Sequence, residues 1–220
     1  MEKTISEKNT VADIVVSYPA ARAVFEQLGI DYCCGGKQPL KAAAQNAGLT
    51  VEQLTDALTE AVNTPAARES DLKDWTAGPL AGLISHIEQH HHTFMREQLP
   101  RLTRLLEKVG QAHKERHGRM LESLGNVLAA LRSDIEMHLV KEEQILFPYI
   151  RQIEAYQKGR GPAPEIHCGS IQNPIRQMEC EHEEVAAALA QMHRLTDDFT
   201  LPADACGSFR ALYEGLRDLE

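Results

Sequence analysis

The sequence predicts an all-α protein in which a small N-terminal helical domain precedes an antiparallel four-helix bundle, and three observations carry that prediction. Long stretches repeat apolar residues at three- and four-residue spacing. No β-branched run of strand length separates them, which argues against a βαβ arrangement. Histidines and a glutamate also fall on the apolar faces of three of these stretches, where a core helix should carry only hydrophobic side chains.

Composition sets the outer limits. The chain has 220 residues, 43% hydrophobic and 25% charged, the balance of a globular protein rather than a disordered one. Its net charge is -9, and its Lys and Arg residues are dispersed, which argues against nucleic acid as a partner. No leader-like N-terminus and no apolar run of about 18 residues is visible, so the expectation is a cytoplasmic protein without a membrane partner. Five cysteines, an odd number, point to thiols rather than a disulfide framework. Only Cys33 and Cys34 are adjacent, and Gly35 and Gly36 follow them.

Taken in order, the first 62 residues alternate short helices with clear punctuation. Thr10 caps a helix from Val11 to Ser17, Pro19 reopens one through Leu28, and Gly29 stops it. Leu40 to Ala47 follows, ended by Gly48, and Thr50 with Gln53 forms a capping box for a helix to Val62. Residues 63–78 have no sustained period and read as a linker. From 79 to 220 come four longer stretches: Pro79 to Lys114, Gly118 to Tyr156, Asn173 to Thr196, and Ala203 onward. Pro148 is expected to kink or end the second.

The contradictory polar residues lie on these long helices. At about 100° per residue, Leu121, Leu124, Leu128, Leu131, Ile135 and Leu146 share a face, and His138 and Glu142 fall inside the same arc. A buried carboxylate is costly unless compensated, and direct bonding to a metal ion is one compensation. Partner ligands appear on two other helices: the His90-His91-His92 cluster on the first and His182 on the third. Spacing from Leu80, Ile84 and Ile87 favours His91 within the cluster. His113, His117 and His167 are expected at the surface, and His193 is expected to pack or cap. A buried His–Glu hydrogen bond is the plain alternative for His138 and Glu142. Inward groups from three helices favour a carboxylate-bridged dinuclear centre over it.

Four stretches together resemble a known family. They are Asp31-Tyr32-Cys33-Cys34-Gly35-Gly36-Lys37, Arg96-Glu97-Gln98-Leu99-Pro100, His138 through Lys141-Glu142-Glu143-Gln144-Ile145-Leu146-Phe147-Pro148, and Glu181-His182-Glu183. The whole chain resembles the di-iron iron–sulfur cluster repair proteins of the ScdA/YtfE type, which join a small N-terminal domain to a hemerythrin-like bundle. The resemblance places a ligand four residues before the Arg-Glu-Gln-Leu-Pro stretch and so selects His92 over His91. It implies that His92, His138 and His182 are terminal ligands of two iron ions and that Glu142 bridges them. It also gives Cys33 and Cys34 a role in handling iron, nitric oxide or electrons. The family's last helix carries a further His-x-x-x-Glu, which is absent before Glu220, so the last helix is expected to be truncated and the site to supply four of six ligands. Iron is then held weakly or at one position.

The implied activity is repair of clusters damaged by oxidative or nitrosative stress through iron donation, closer to an iron donor than to a conventional enzyme. Damaged iron–sulfur proteins are the implied partners, and a homodimer is a further option. A hemerythrin-like module that binds or senses dioxygen or nitric oxide is the alternative, and a metal-free helical interaction domain is a third class. Deletion of residues 1–62 separates the first two, because only repair needs the Cys33–Cys34 domain.

Overall fold

In the computed structural model, residues 5–32, 35–63, 75, 78–165 and 169–219 are described. The chain divides into two compact units, Met1–Asp74 and Trp75–Glu220. Cys33, Cys34, His167 and Cys168 lie outside the described residues. No helix among the described residues is long and apolar enough to cross a membrane.

The first unit contains α1 (Val11–Ser17), α2 (Ala21–Gln27), α3 (Leu40–Asn46) and α4 (Val51–Val62). Both capping boxes form: Thr10 with Asp13 opens α1, and Thr50 with Gln53 opens α4. Gly29 and Gly48 adopt φ of +64° and +72°, the left-handed conformation that lets the chain leave α2 and α3 without a side-chain clash. Val11, Ile14, Phe25, Leu40, Leu54 and Leu58 close the core. The turn that follows residue 34 is tied to this core. Asp31 Oδ2 accepts from Gly35 N at 2.9 Å, and Ala12 N donates to Gly36 O at 2.8 Å. A Cβ on residue 35 would lie 2.9 Å from the Asp31 carbonyl oxygen, so glycine is required there.

The second unit is the bundle. Its first long helix consists of α5 (Leu80–His86), a π-helical turn over Ile87–His92, and α6 (Thr93–Ala112). Its second consists of α7 (Lys114–Lys141), a π-helical turn over Glu142–Leu146, and α8 (Phe147–Gln157). Then come α9 (Gln172–Thr196) and α10 (Gly207–Arg217). Helix α7 packs against both α6 and α9, and α10 packs against α6. Their shared core includes Leu99, Leu102, Leu124, Leu128, Leu131, Met192, Phe209, Leu212 and Leu216. A second cluster, Ile84, Leu146, Phe147 and Met178, closes the end that carries the π-helical turns.

Three details differ from the sequence expectation. Pro148 neither ends nor breaks its helix, because it sits just after the widened turn, where α8 restarts and a missing N–H disrupts least. The second helix begins at Lys114 rather than Gly118 and is joined to α6 through His113 alone. Ile175, which three- and four-residue apolar spacing puts on one face of α9 with Met178, is exposed, while Met178 and Met192 are buried.

The end of α9 is unusual. Asp197, Asp198 and Phe199 all have left-handed φ, 51°, 57° and 52°. Each such non-glycine residue costs roughly 1–2 kcal/mol. The turn is held by Arg217, whose Nη2 donates to the carbonyls of Asp198 (3.3 Å) and Phe199 (3.0 Å), and by Phe199 N donating to Thr196 Oγ1 (3.0 Å). The Phe199 ring is buried against Tyr213.

Candidate metal centre

The two π-helical turns build the site. Each inserts one extra residue into the helix and so rotates everything after it by about 100° relative to an unbroken α-helix. In the first helix this carries His92 to the position that α-helical spacing gives His91. His92 is buried, 2% exposed, whereas His90 and His91 are exposed. Phe147 stacks on the His92 ring at 5.7 Å. In the second helix the turn begins at Glu142, immediately after the α-helical segment that carries His138, which is 8% exposed.

Three imidazoles converge on one carboxylate. Glu142 Oε2 lies 3.0 Å from His92 Nε2, and Glu142 Oε1 lies 3.6 Å from His138 Nε2. His182 Nε2 lies 3.0 Å from His138 Nε2. One carboxylate oxygen therefore faces each side of the cluster. The structure brings together His92, His138, Glu142 and His182. His182 departs from its core-facing expectation, since as a residue it is exposed although its Nε2 points inward. The physical reason is that α10 packs on α6 near Leu102, where Gly215 faces the Leu102 side chain. That level is about 15 Å along α6 from His92, so α10 does not cover residue 182.

Behind the converging nitrogens lies a repeated device. His92 Nδ1 meets Glu143 Oε1 at 2.7 Å, and Arg96 holds the other Glu143 oxygen at 2.8 Å. His138 Nδ1 meets Glu181 Oε2 at 2.9 Å, and Lys141 holds the other Glu181 oxygen at 2.6 Å, joined by Gln177 at 3.0 Å. Each imidazole thus donates Nδ1–H to a carboxylate anchored by a cation, which turns its Nε2 toward Glu142. Sequence reasoning leaves Glu143 and Glu181 without an assigned partner, although both stand in the quoted stretches. It missed Arg96 and Lys141, although each lies about one turn beyond the histidine of its own helix, the spacing at which side chains meet. Glu183, which flanks His182 on its other side, is exposed.

Charge follows from these contacts. Burial opposes protonation of His92, but its hydrogen bonds to Glu142 and Glu143 outweigh it and raise the imidazole above its ordinary 6.5. The hydrogen bond to Glu142 likewise raises His138, against its burial. Burial and the neighbouring His138 lower His182, which is the neutral acceptor of the trio. Burial would push Glu142 up, yet His138 and His92 bring it down to about 2, so it is ionised. Glu181 is also brought down to about 2, by Lys141, His138 and Gln177 acting against burial.

Three nitrogens and a shared carboxylate, with two of the imidazoles oriented by carboxylates, suit a first-row transition cation, for which nitrogen and oxygen donors accommodate several metals. A cation here takes the place of the protons that His92 and His138 otherwise hold between two carboxylates. His138, Glu142 and His182 present one ligand atom each within 4.8 Å of one another.

This bundle, with imidazoles and a carboxylate directed inward from three helices, is of the hemerythrin class: residues 83–220 match the hemerythrin HHE cation binding domain. Residues 7–62 match ScdA_N, a domain of unknown function (DUF542). The chain is 36% identical over 213 residues to the iron–sulfur cluster repair protein YtfE of Musicola paradisiaca, covering 95% of this chain and 86% of that protein. It is 35% identical over 209 residues to the protein of the same name from Escherichia coli, with the same coverage. A probable iron–sulfur cluster repair protein of Haemophilus influenzae is 35% identical over 208 residues, 94% of this chain and 86% of that protein. The chain belongs to this iron–sulfur cluster repair protein family.

Proposed function

We propose that this protein repairs damaged iron–sulfur clusters by delivering iron held at its hemerythrin-like centre. The observation that carries the reading is the Glu142 carboxylate, which presents one oxygen to His92 and the other toward His138, the disposition of a bridging ligand. His92 would hold one iron, and the His138–His182 pair would hold a second. Iron bound there supplies ferrous–ferric redox chemistry and is also the cargo.

The residues of the chain do the rest. Glu143 with Arg96, and Glu181 with Lys141, fix the rings of His92 and His138 so that their Nε2 atoms face Glu142. Because Glu142 and Glu181 are ionised and both rings are readily protonated, protons and iron compete for the same nitrogens. Exposure of His182 leaves one ligand near solvent, a route by which iron can pass to an acceptor. Cys33 and Cys34 handle iron, nitric oxide or electrons for the partner. The partners are iron–sulfur proteins damaged by oxidative or nitrosative stress, the protein acts in the cytoplasm, and it functions with a second copy as a homodimer.

The test is reactivation of a damaged iron–sulfur dehydratase by the iron-loaded protein. Wild type is expected to restore activity, with two weakly held irons per chain by elemental analysis at saturating iron, and Glu142→Ala is expected to lose both. Removal of residues 1–62 should keep iron but weaken reactivation. Full reactivation by the deletion variant would mean that the bundle alone suffices, and one iron per chain would overturn the dinuclear assignment.

A further inference from the structure

We propose a second metal site, distinct from the iron centre, in which His113, His117, Asp204 and Cys206 bind a zinc-like divalent cation and staple the loop before α10 to the α6–α7 turn. The two histidines are one helical turn apart, His113 at the junction of α6 and α7 and His117 in the first turn of α7, so both rings project from one face. Asp204 and Cys206 lie two residues apart just before α10, with Cys206 as its N-terminal flanking residue. Two pairs of metal-ligand side chains from separate segments thus meet.

The geometry is already close to that of a coordination shell. One ligand atom each from His113, His117 and Asp204 lie within 4.8 Å of one another. Donors around a tetrahedral zinc at about 2.0–2.3 Å stand roughly 3.3–3.8 Å apart, so small side-chain adjustments complete the shell. His117 Nε2 sits 2.9 Å from Asp204 Oδ1, and the exposed thiol of Cys206, two residues beyond Asp204 and outside that triad, is the fourth donor that a side-chain adjustment brings in. Both rings stand edge-on to Phe209, at 5.1 Å and 5.7 Å between centroids, which gives the site an apolar wall. Neither histidine is the surface residue that its place in the sequence suggests, because both are half-buried.

The protonation states suit a cation. His117 and Arg116 hold Asp204 ionised, down to about 2, and the hydrogen bond from His113 with the backbone N–H of Phe209 lowers the Cys206 thiol to about 7. A thiolate, two imidazoles and a carboxylate form a neutralising, partly soft donor set that favours zinc over iron held by nitrogen and oxygen alone. His117 and His138 are 21 residues apart on one helix, about 30 Å, so the two centres cannot share an ion. A plain ion pair of Asp204 with Arg116 and His117 is the competing explanation for these contacts, and it makes no use of Cys206.

Cobalt(II) is the probe, because thiolate ligation produces a near-ultraviolet sulfur-to-cobalt charge-transfer band that the sulfur-free iron centre cannot give. Titration of the full chain is expected to yield this band at one equivalent. It should vanish in Cys206→Ser and His117→Gln and persist in Glu142→Gln and in the double variant Cys33→Ser/Cys34→Ser. The near-isosteric Asp204→Asn should weaken zinc affinity at least tenfold, measured against a chromophoric chelator. Zinc should raise the Tm of the wild type but not of His117→Gln, with circular dichroism of the metal-free proteins confirming that the variants fold. Absence of the band, its survival in Cys206→Ser, or its loss in the Cys33→Ser/Cys34→Ser variant would overturn the proposal.

Discussion

The two ends of the bundle use the same side-chain types to different depths. At the His92–His138 end, both imidazole nitrogens of each ring are engaged, every carboxylate that orients a ring is itself held by Arg96 or Lys141, and both helices depart from α-geometry. At the His113–His117 end the helices stay regular, the rings are half-buried, and one carboxylate, Asp204, stands beside both rings. The difference teaches that fixing each ring takes a carboxylate of its own, half-buried and anchored by a second charge, and that bringing such groups inward takes a change of helical register. A regular helix end brings histidines together without locking them.

Removing the bridging group should break the contrast most severely. Glu142→Ala is expected to lower iron affinity by 100-fold or more by elemental analysis after dialysis, whereas His193→Ala, in which the lost ring pairs with Asp198 and Phe199, should retain iron. Equal iron in the two variants would sink the assignment. Next in size come the orienting carboxylates. Glu143→Gln and Glu181→Gln should each cost about 10–100-fold in affinity, the usual range for partners that fix a ligand's ring. Similar losses in both would sharpen the equivalence of the two halves of the site.

Proton competition gives a related prediction. His92 and His138 are raised above 6.5, so their stabilising charge in the metal-free protein is fully present below pH 6.5 and is lost as pH rises through their folded values. Glu142 and Glu181 are depressed from 4.5 to about 2, so their contribution is present above pH 4.5 and is lost as pH falls toward 2. Metal-free Tm should therefore peak between these limits, while iron affinity climbs as pH rises past 6.5. A metal-free Tm that keeps rising above neutrality would contradict this.

Two smaller effects test the scaffold between the ends. A Cβ at residue 215 would meet Leu102 Cδ2 at 2.6 Å, and Leu102 is fully buried, so Gly215→Ala should destabilise the bundle by about 1–3 kcal/mol in urea unfolding. Arg217→Ala removes the two hydrogen bonds that hold the left-handed turn and should cost about 1 kcal/mol. Neither should change iron content in the folded protein, and a loss of iron in either would couple the two regions.

Much of this was legible along the chain. Capping boxes at Thr10 and Thr50, left-handed stops at Gly29 and Gly48, and the leucine faces of the bundle are all local or periodic signals. The choice between His91 and His92 was not, since α-helical spacing assumes a register that the π-helical turn shifts by one residue. The family motif selected His92 by its distance from the Arg-Glu-Gln-Leu-Pro stretch, where rotation along the helix pointed one residue away. Pro148 does not end its helix for a related reason, because the widened turn before it accommodates the ring.

Sequence alone determined the all-α class, the capped helix starts at Thr10 and Thr50 and the set of polar residues that contradict an apolar face, because propensity, capping and periodicity act within a few residues of the chain. Only the tertiary structure decided which nitrogen faces which oxygen, that Glu143 serves His92 and Glu181 serves His138 across helices, and that residues 113 and 117 meet 204 and 206. Those contacts join positions 40 to more than 80 residues apart, and their geometry follows from how helices pack and where their register shifts.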